Sequence, residues 1–134
     1  MNQENQIGIK MIILLSSLIA LGSCFHPFTT NAESVIDGDT IKNVVIEMDF
    51  GIKITKTIRI IGIDAPEMRG VPDSEKKRAV ESRDRLRAII GSCSSLRLVP
   101  HGTDSFGRTL AKVFCGNQNI AETLIKEGFA KQYK

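Results

Sequence analysis

Three short segments of this chain gather residues able to work on a phosphate ester. Asp37-Gly38-Asp39 sets two carboxylates around a glycine, Asp64-Ala65-Pro66-Glu67 sets two more around a proline, and Asp104-Ser105-Phe106-Gly107-Arg108 ends in a guanidinium. A phosphodiester already carries one negative charge, and attack by water adds another on a five-coordinate phosphorus. Hydrolysis therefore needs concentrated positive charge, a base for the water and help for the departing oxygen. Asp39 and Asp64 are hard oxygen donors of the kind that hold a divalent cation. Arg59 lies on the same run as Asp64, placed to fork onto phosphate oxygens. Glu67 follows closely and can take a proton from a metal-associated water, while Arg108 brings a second cation from a separate loop.

Each segment alone also has a plainer reading. The first is a turn by composition, the second a strand end with a surface carboxylate, and the third a hairpin loop closed by a solvated arginine. Nothing in composition makes the three converge. A fold has to do that.

The elements that would position them read as follows. From Ser34 the periodicity is that of strands: Val35-Ile36 leads into the first carboxylate turn, and Ile41 to Met48 follows as a β-rich run. Asp49-Phe50-Gly51 supplies turn chemistry, and Ile52 to Ile63 returns as a second long strand. Apolar residues on both of its faces (Ile61 and Ile63 beside Arg59, Ile58 and Ile60 opposite) predict burial on both sides. Pro66 ends it, and Asp73 or Ser74 can cap a helix running to about Ile90. Leu96 to Val99 reads as a short strand, Pro100 to Gly107 as a loop and Thr109 to Phe114 as a strand. Asn119 caps a final helix that Gly128 terminates. The order βββαββα with short strands predicts an α+β, mainly β fold, a small Greek-key barrel carrying helices.

The chain's 134 residues suffice for one domain, and its net charge of +3 suits a polyanionic substrate without identifying one. Upstream, Met11 to Gly22 is an apolar and small-residue run behind Lys10, too short to span a bilayer comfortably and patterned as an export signal. Leu21-Gly22-Ser23-Cys24 resembles a lipobox whose cysteine is lipidated, and Thr30-Asn31-Ala32 resembles a signal-peptidase site. The division expected is a signal peptide over 1–23, a polar tether over 24–33 and the functional domain over 34–134. Processing at Cys24 is favoured, giving an exported lipoprotein of the envelope, or a secreted or periplasmic form if cleavage falls at Ala32. Cys93 and Cys115 then remain, and export favours a disulfide between them. If the flanking strands pair through the Asp104 loop, the two cysteines meet at the far end of the ladder.

Taken together and in order, Val35 to Thr40, Arg59 to Glu67 and Asp104 to Arg108 resemble the three signature blocks of the staphylococcal nuclease (thermonuclease) family. The likeness runs from about Ser34 to Ala130. It implies a five-stranded OB-type barrel, with the family's third helix missing from this sequence, and one Ca²⁺ held by Asp39, Asp64 and the carbonyl of Ala65. It also implies phosphate-binding roles for Arg59 and Arg108 and the general-base position for Glu67. Asp37 and Thr40 would support the metal ligands, and Phe106 would stack on the nucleotide where the best-known member has tyrosine. The activity implied is hydrolysis of DNA and RNA by a monomer, leaving 3′-phosphates, with a membrane contact only through lipid at Cys24. Two other readings remain: a non-catalytic nucleic-acid-binding module on the same barrel, and a structural envelope lipoprotein. Retention of Asp39, Arg59, Asp64, Glu67 and Arg108 together argues for the enzyme, because binding alone requires neither a metal pair nor a glutamate.

Overall fold

The computed structural model describes residues 25–134; the expected signal peptide over 1–23 and the expected lipidation at Cys24 lie outside the described residues. Alternating apolar positions build β1 (His26–Thr29), β2 (Val35–Asp37), β3 (Thr40–Glu47) and β4 (Lys53–Ile60), with a two-residue β5 (Ile63–Asp64) after a turn. Helix α1 (Asp73–Ser92) is followed by β6 (Leu96–Thr103), β7 (Thr109–Cys115), β8 (Gln118–Asn119), α2 (Ile120–Lys126) and β9 (Lys131–Gln132). The main sheet runs β1-β6-β7-β4-β3-β2, and β1 pairs with β3 as well as with β6. That extra pairing closes a five-stranded mixed barrel of the OB type, in which β4 and β7 run parallel and their neighbours antiparallel.

Closure depends on a bend in β3. Its register against β4 shifts between Ile41 and Val44, where Asn43 takes a left-handed φ of 51°. Such a bulge turns the strand, so Thr40 and Ile41 face β2 while Val45 and Ile46 face β1. The interior is filled by Val35, Ile41, Val44, Ile58, Ile60, Leu98 and Val113, all essentially without solvent contact. Helix α1 closes one side with Ala79, Ser82, Leu86 and Ile90, a helical stripe. Two arginines on its outer face fix neighbouring pieces. Arg87 donates to the Val35 carbonyl from Nε and Nη2 (3.2 and 3.0 Å), pinning β2, and Arg85 pairs with both oxygens of Glu127 (2.6 and 2.8 Å).

Four expectations need correction. The polar stretch after Cys24 is no tether: His26–Thr29 is a strand of the barrel, and Phe28 is buried in the core. Two neighbours, β3 and β6, supply the pairing that its own residues do not advertise. β4 stops at Ile60 rather than Ile63, and Gly62 (φ 84°) turns the chain before Ile63 re-enters the core; β4 is therefore not buried on both faces. β6 continues through Pro100 and Gly102 to Thr103, its register shifting between those two residues. The N-cap of α1 is Pro72, without a side-chain cap bond, and Asp73 lies in the first turn.

Cys93 and Cys115 are bonded, with their Cα atoms 5.8 Å apart. Cys115 pairs with Leu96 at the end of the β6–β7 ladder, which brings it beside the residue that leaves α1. A closed loop of this length contributes about 3 kcal/mol in the chain-entropy account.

Candidate active site

The turn between β2 and β3 holds the first two carboxylates apart by a local hydrogen bond. Asp37 Oδ1 accepts from the Asp39 amide at 3.1 Å, which tightens the turn and aims Asp39 inward. Asp39 is 7% exposed, and three donors meet it: Thr40 Oγ1 at 3.0 Å, the Ala65 amide at 3.0 Å and Arg59 Nη1 at 2.9 Å. Its pKa is nonetheless pushed up to about 6. Burial is the main cause and the neighbouring Asp37 charge adds to it, together outweighing the downward pull of Arg59 and the Ala65 amide. An ionised Asp39 is thus short of positive charge even with its partners in place.

Arg59 stands directly across from Thr40 in the β3–β4 ladder, near the end of β4. Its guanidinium bridges two carboxylates, Asp39 at 2.9 Å and Asp64 at 3.7 Å, and also donates to the Ile60 carbonyl at 3.0 Å. Asp64 reaches this place because β5 pairs with β9, setting Asp64 opposite Lys131; its side chain is 57% exposed.

Arg108 arrives from the β6–β7 hairpin. Asp104 builds that loop, accepting from the amides of Phe106 and Arg108 at 2.9 and 3.0 Å and from Arg108 Nε at 2.7 Å. Burial alone would raise the Asp104 carboxyl, but these bonds and the Arg108 charge hold it below its ordinary value. The held guanidinium reaches Thr40 Oγ1 at 3.4 Å from Nη1. Thr40 is therefore flanked by both arginines. Phe106 is 83% exposed, with Arg108 5.6 Å from its ring centre. Glu67 is exposed on the wall of a cleft that it shares with Asp37, Asp39 and Ala65.

The structure thus brings Asp37, Asp39, Thr40, Arg59, Asp64, Ala65, Glu67 and Arg108 to one end of the barrel, while Cys93 and Cys115 lie at the far end of the β6–β7 ladder. Among the described residues no three His, Cys, Asp or Glu side chains gather as a ready metal cluster. The donor set is two carboxylates sharing one guanidinium. That suits a hard divalent cation whose remaining sites are taken by water or substrate oxygens, and the elevated Asp39 pKa marks a position that a cation would relieve.

Three contributions were not visible in the sequence. Lys42 and Arg69 line the same cleft and add cations to its wall. Asp104 acts as the clamp on Arg108. Ser82, on the buried face of α1, packs under the carboxylate turn with no hydrogen-bond partner for its hydroxyl. It explains why position 38 is glycine: a Cβ there would overlap Ser82 Oγ and stand 2.8 Å from Ala65 Cβ and 2.9 Å from Ser82 Cβ. Gly38→Ala is expected to cost about 2 kcal/mol by overpacking, read from urea unfolding, and to lower turnover by displacing Asp39. Adding Ser82→Ala should recover part of the stability. An unperturbed Gly38→Ala protein would show that the packing under the turn is loose.

Comparison with known proteins agrees with this geometry. The staphylococcal nuclease homologue family model matches residues 57–134, more than half of the chain. Thermonuclease of Staphylococcus hyicus is 33% identical over 142 aligned positions, spanning 94% of this chain and 80% of that protein. An uncharacterized endonuclease of Haemophilus influenzae is 30% identical, spanning 94% of this chain and 67% of its own length. A probable staphylococcal-like nuclease of Oryza sativa subsp. japonica is 36% identical over 77 residues, 58% of this chain; the chain spans about a fifth (19%) of that relative. The chain belongs to the staphylococcal nuclease homologue family. Asp37 and Asp39 precede the family-model match, and it is the pairing of β3 with β4 that sets them beside Arg59.

Proposed function

We propose that this chain is an endonuclease that hydrolyses phosphodiesters in DNA and RNA with Ca²⁺, acting as a monomer. The observation that carries the reading is the meeting of Arg59 and Arg108, from separate elements, on either side of Thr40 and beside Asp39 and Asp64. Asp39 and Asp104 each hold one of these guanidinium groups, and their arrival from separate elements at one threonine suits a phosphate with growing charge. The printed names of the Staphylococcus hyicus and Haemophilus influenzae relatives, a thermonuclease and an endonuclease, support it.

Asp39, Asp64 and the Ala65 carbonyl would hold the Ca²⁺, which when bound supplies Lewis-acid polarisation of the phosphate. Glu67 takes the proton of the attacking water as the new P–O bond forms. Arg59 and Arg108 bind the equatorial oxygens as charge builds on them, and Arg108 assists the 5′-oxygen as its bond to phosphorus breaks. Phe106, exposed beside Arg108, offers a face on which a base can stack. The phosphate stays on the 3′ side. Mass analysis of the fragments from a single-stranded DNA digest tests this direction: 3′-phosphate ends are expected, and 3′-hydroxyl with 5′-phosphate ends would overturn it.

Export followed by lipidation at Cys24 belongs to the same proposal. β1 supports it over cleavage at Ala32, because that cut would remove a strand that closes the barrel and carries the buried Phe28.

A further inference from the structure

The β3–β4 hairpin carries a group of side chains that the catalytic reading leaves unused. Met48 is 38% exposed, Phe50 101% and Ile52 56%, so half of the six exposed large apolar residues among the described residues fall in this one turn. Phe50 takes a left-handed φ of 62°, a conformation disfavoured for an aromatic residue, and nothing in the barrel covers its ring. We propose that this tip inserts into the surface layer of the lipid bilayer to which Cys24 ties the chain. The inference rests on the anchoring proposed above and adds a second point of contact to it.

The bilayer follows from where the described chain starts. Cys24 is one residue ahead of Phe25, and Phe25 is already fixed on the barrel wall, edge-on to Phe114 (5.2 Å between centres) and under the Arg97 guanidinium (4.6 Å). One residue spans only about 3.6 Å, so a lipidated Cys24 leaves no spacer and brings the membrane to this side of the domain. β1 runs antiparallel to β3 with Phe28 opposite Ile46 and Thr29 opposite Val45. Extending that register sets His26 level with Met48, so the chain enters the barrel at the level of the exposed tip.

Other occupants fit less well. A nucleic acid strand would need cations, but the segment from Glu47 to Lys53 carries two carboxylates against one lysine, and that lysine is paired with Glu47 at 3.6 Å. A second copy would need far more area, since three side chains offer a few hundred Å² against the roughly 1,200 Å² that a stable association buries. Apolar side chains on a short protruding turn, beside an acyl anchor, match the interfacial zone of a bilayer, where each buried group adds to the anchor's hold. The arrangement also suits the catalytic end. From Lys53 to Arg59, β4 covers about 20 Å at the usual rise per residue, so a tip held in lipid leaves the cleft open to solvent.

The chain contains no tryptophan, which allows a single reporter. The full chain, produced with its own leader in a bacterial host, would be extracted and reconstituted into phosphatidylcholine vesicles with and without brominated acyl chains. Phe50→Trp tests the tip. Tyr133→Trp, at an exposed residue bonded to Gly62 near the catalytic end, serves as comparison. Brominated lipid is expected to quench the Phe50→Trp emission roughly twofold while leaving Tyr133→Trp unquenched. Water-like, unquenched emission from Phe50→Trp on a chain that floats with the vesicles would overturn the proposal. So would a blue shift without bromine quenching, which reports contact between copies, and so would a chain that does not float, which removes the anchor. Nuclease activity measured in the same samples keeps these outcomes apart from any failure of the catalytic reading.

Discussion

Replacing Arg59 or Arg108 by alanine is expected to lower turnover on single-stranded DNA roughly a thousandfold or more, as when a positioned cation is removed from a developing phosphate charge. The two variants should differ in stability, and the structure says why. Arg59 is the buried partner of Asp39, at 2.9 Å, and its loss leaves a carboxylate that burial already disfavours. Breaking such a pair costs about 3 kcal/mol, so the metal-free Arg59→Ala domain should unfold at a clearly lower urea concentration. Added Ca²⁺ is expected to restore stability by taking over the charge on Asp39, without restoring turnover. Arg108 is held by Asp104 in an exposed hairpin, and its replacement should leave the unfolding midpoint nearly unchanged. Arg59→Lys keeps the charge but cannot fork between Asp39 and Asp64, so it should recover little of the rate. Near-normal kcat in either alanine variant would remove that arginine from the site.

Glu67→Gln is expected to reduce turnover by about a hundredfold to ten-thousandfold, the usual range for a lost general base. Glu67 lies on the cleft wall and is exposed, so the fold should be unaffected and substrate affinity nearly so. Without an internal base, the residual rate should rise with hydroxide concentration, because solvent must then supply the proton acceptor. A variant that keeps the wild-type rate, or that binds DNA poorly at unchanged kcat, would assign Glu67 to binding instead.

Both predictions begin from residues that stood out in the sequence, and the reason is local. Asp37-Gly38-Asp39 is its own turn, closed by a bond between neighbours, and Asp104 to Arg108 is its own hairpin, built on one aspartate. Such features are written within a few residues and can be read there. The pairing of Cys93 with Cys115 was legible for a related reason, since a hairpin fixes what lies across the ladder. What failed depended on distant partners. His26-Pro27-Phe28-Thr29 has a proline and no long alternation, and becomes a strand only because β3 and β6 leave edges for it. Pro100 and Gly102 read as loop, yet β7 carries β6 through them past a shift in register. Ser82 looked like any polar helix residue, and only packing shows that it lies under Gly38. The exposure of Phe50 was hidden too, because an apolar residue in a turn reads alike whether the fold covers it or not.

Cleavage of single-stranded DNA and of RNA by the purified chain, with Ca²⁺ and with excess chelator, tests the central claim most directly. The account predicts rapid digestion of both polymers in Ca²⁺, none in chelator and recovery when Ca²⁺ is returned, with Asp39→Ala needing more Ca²⁺ to reach its residual rate. Equal digestion in excess chelator, or an intact polymer in saturating Ca²⁺, would contradict it.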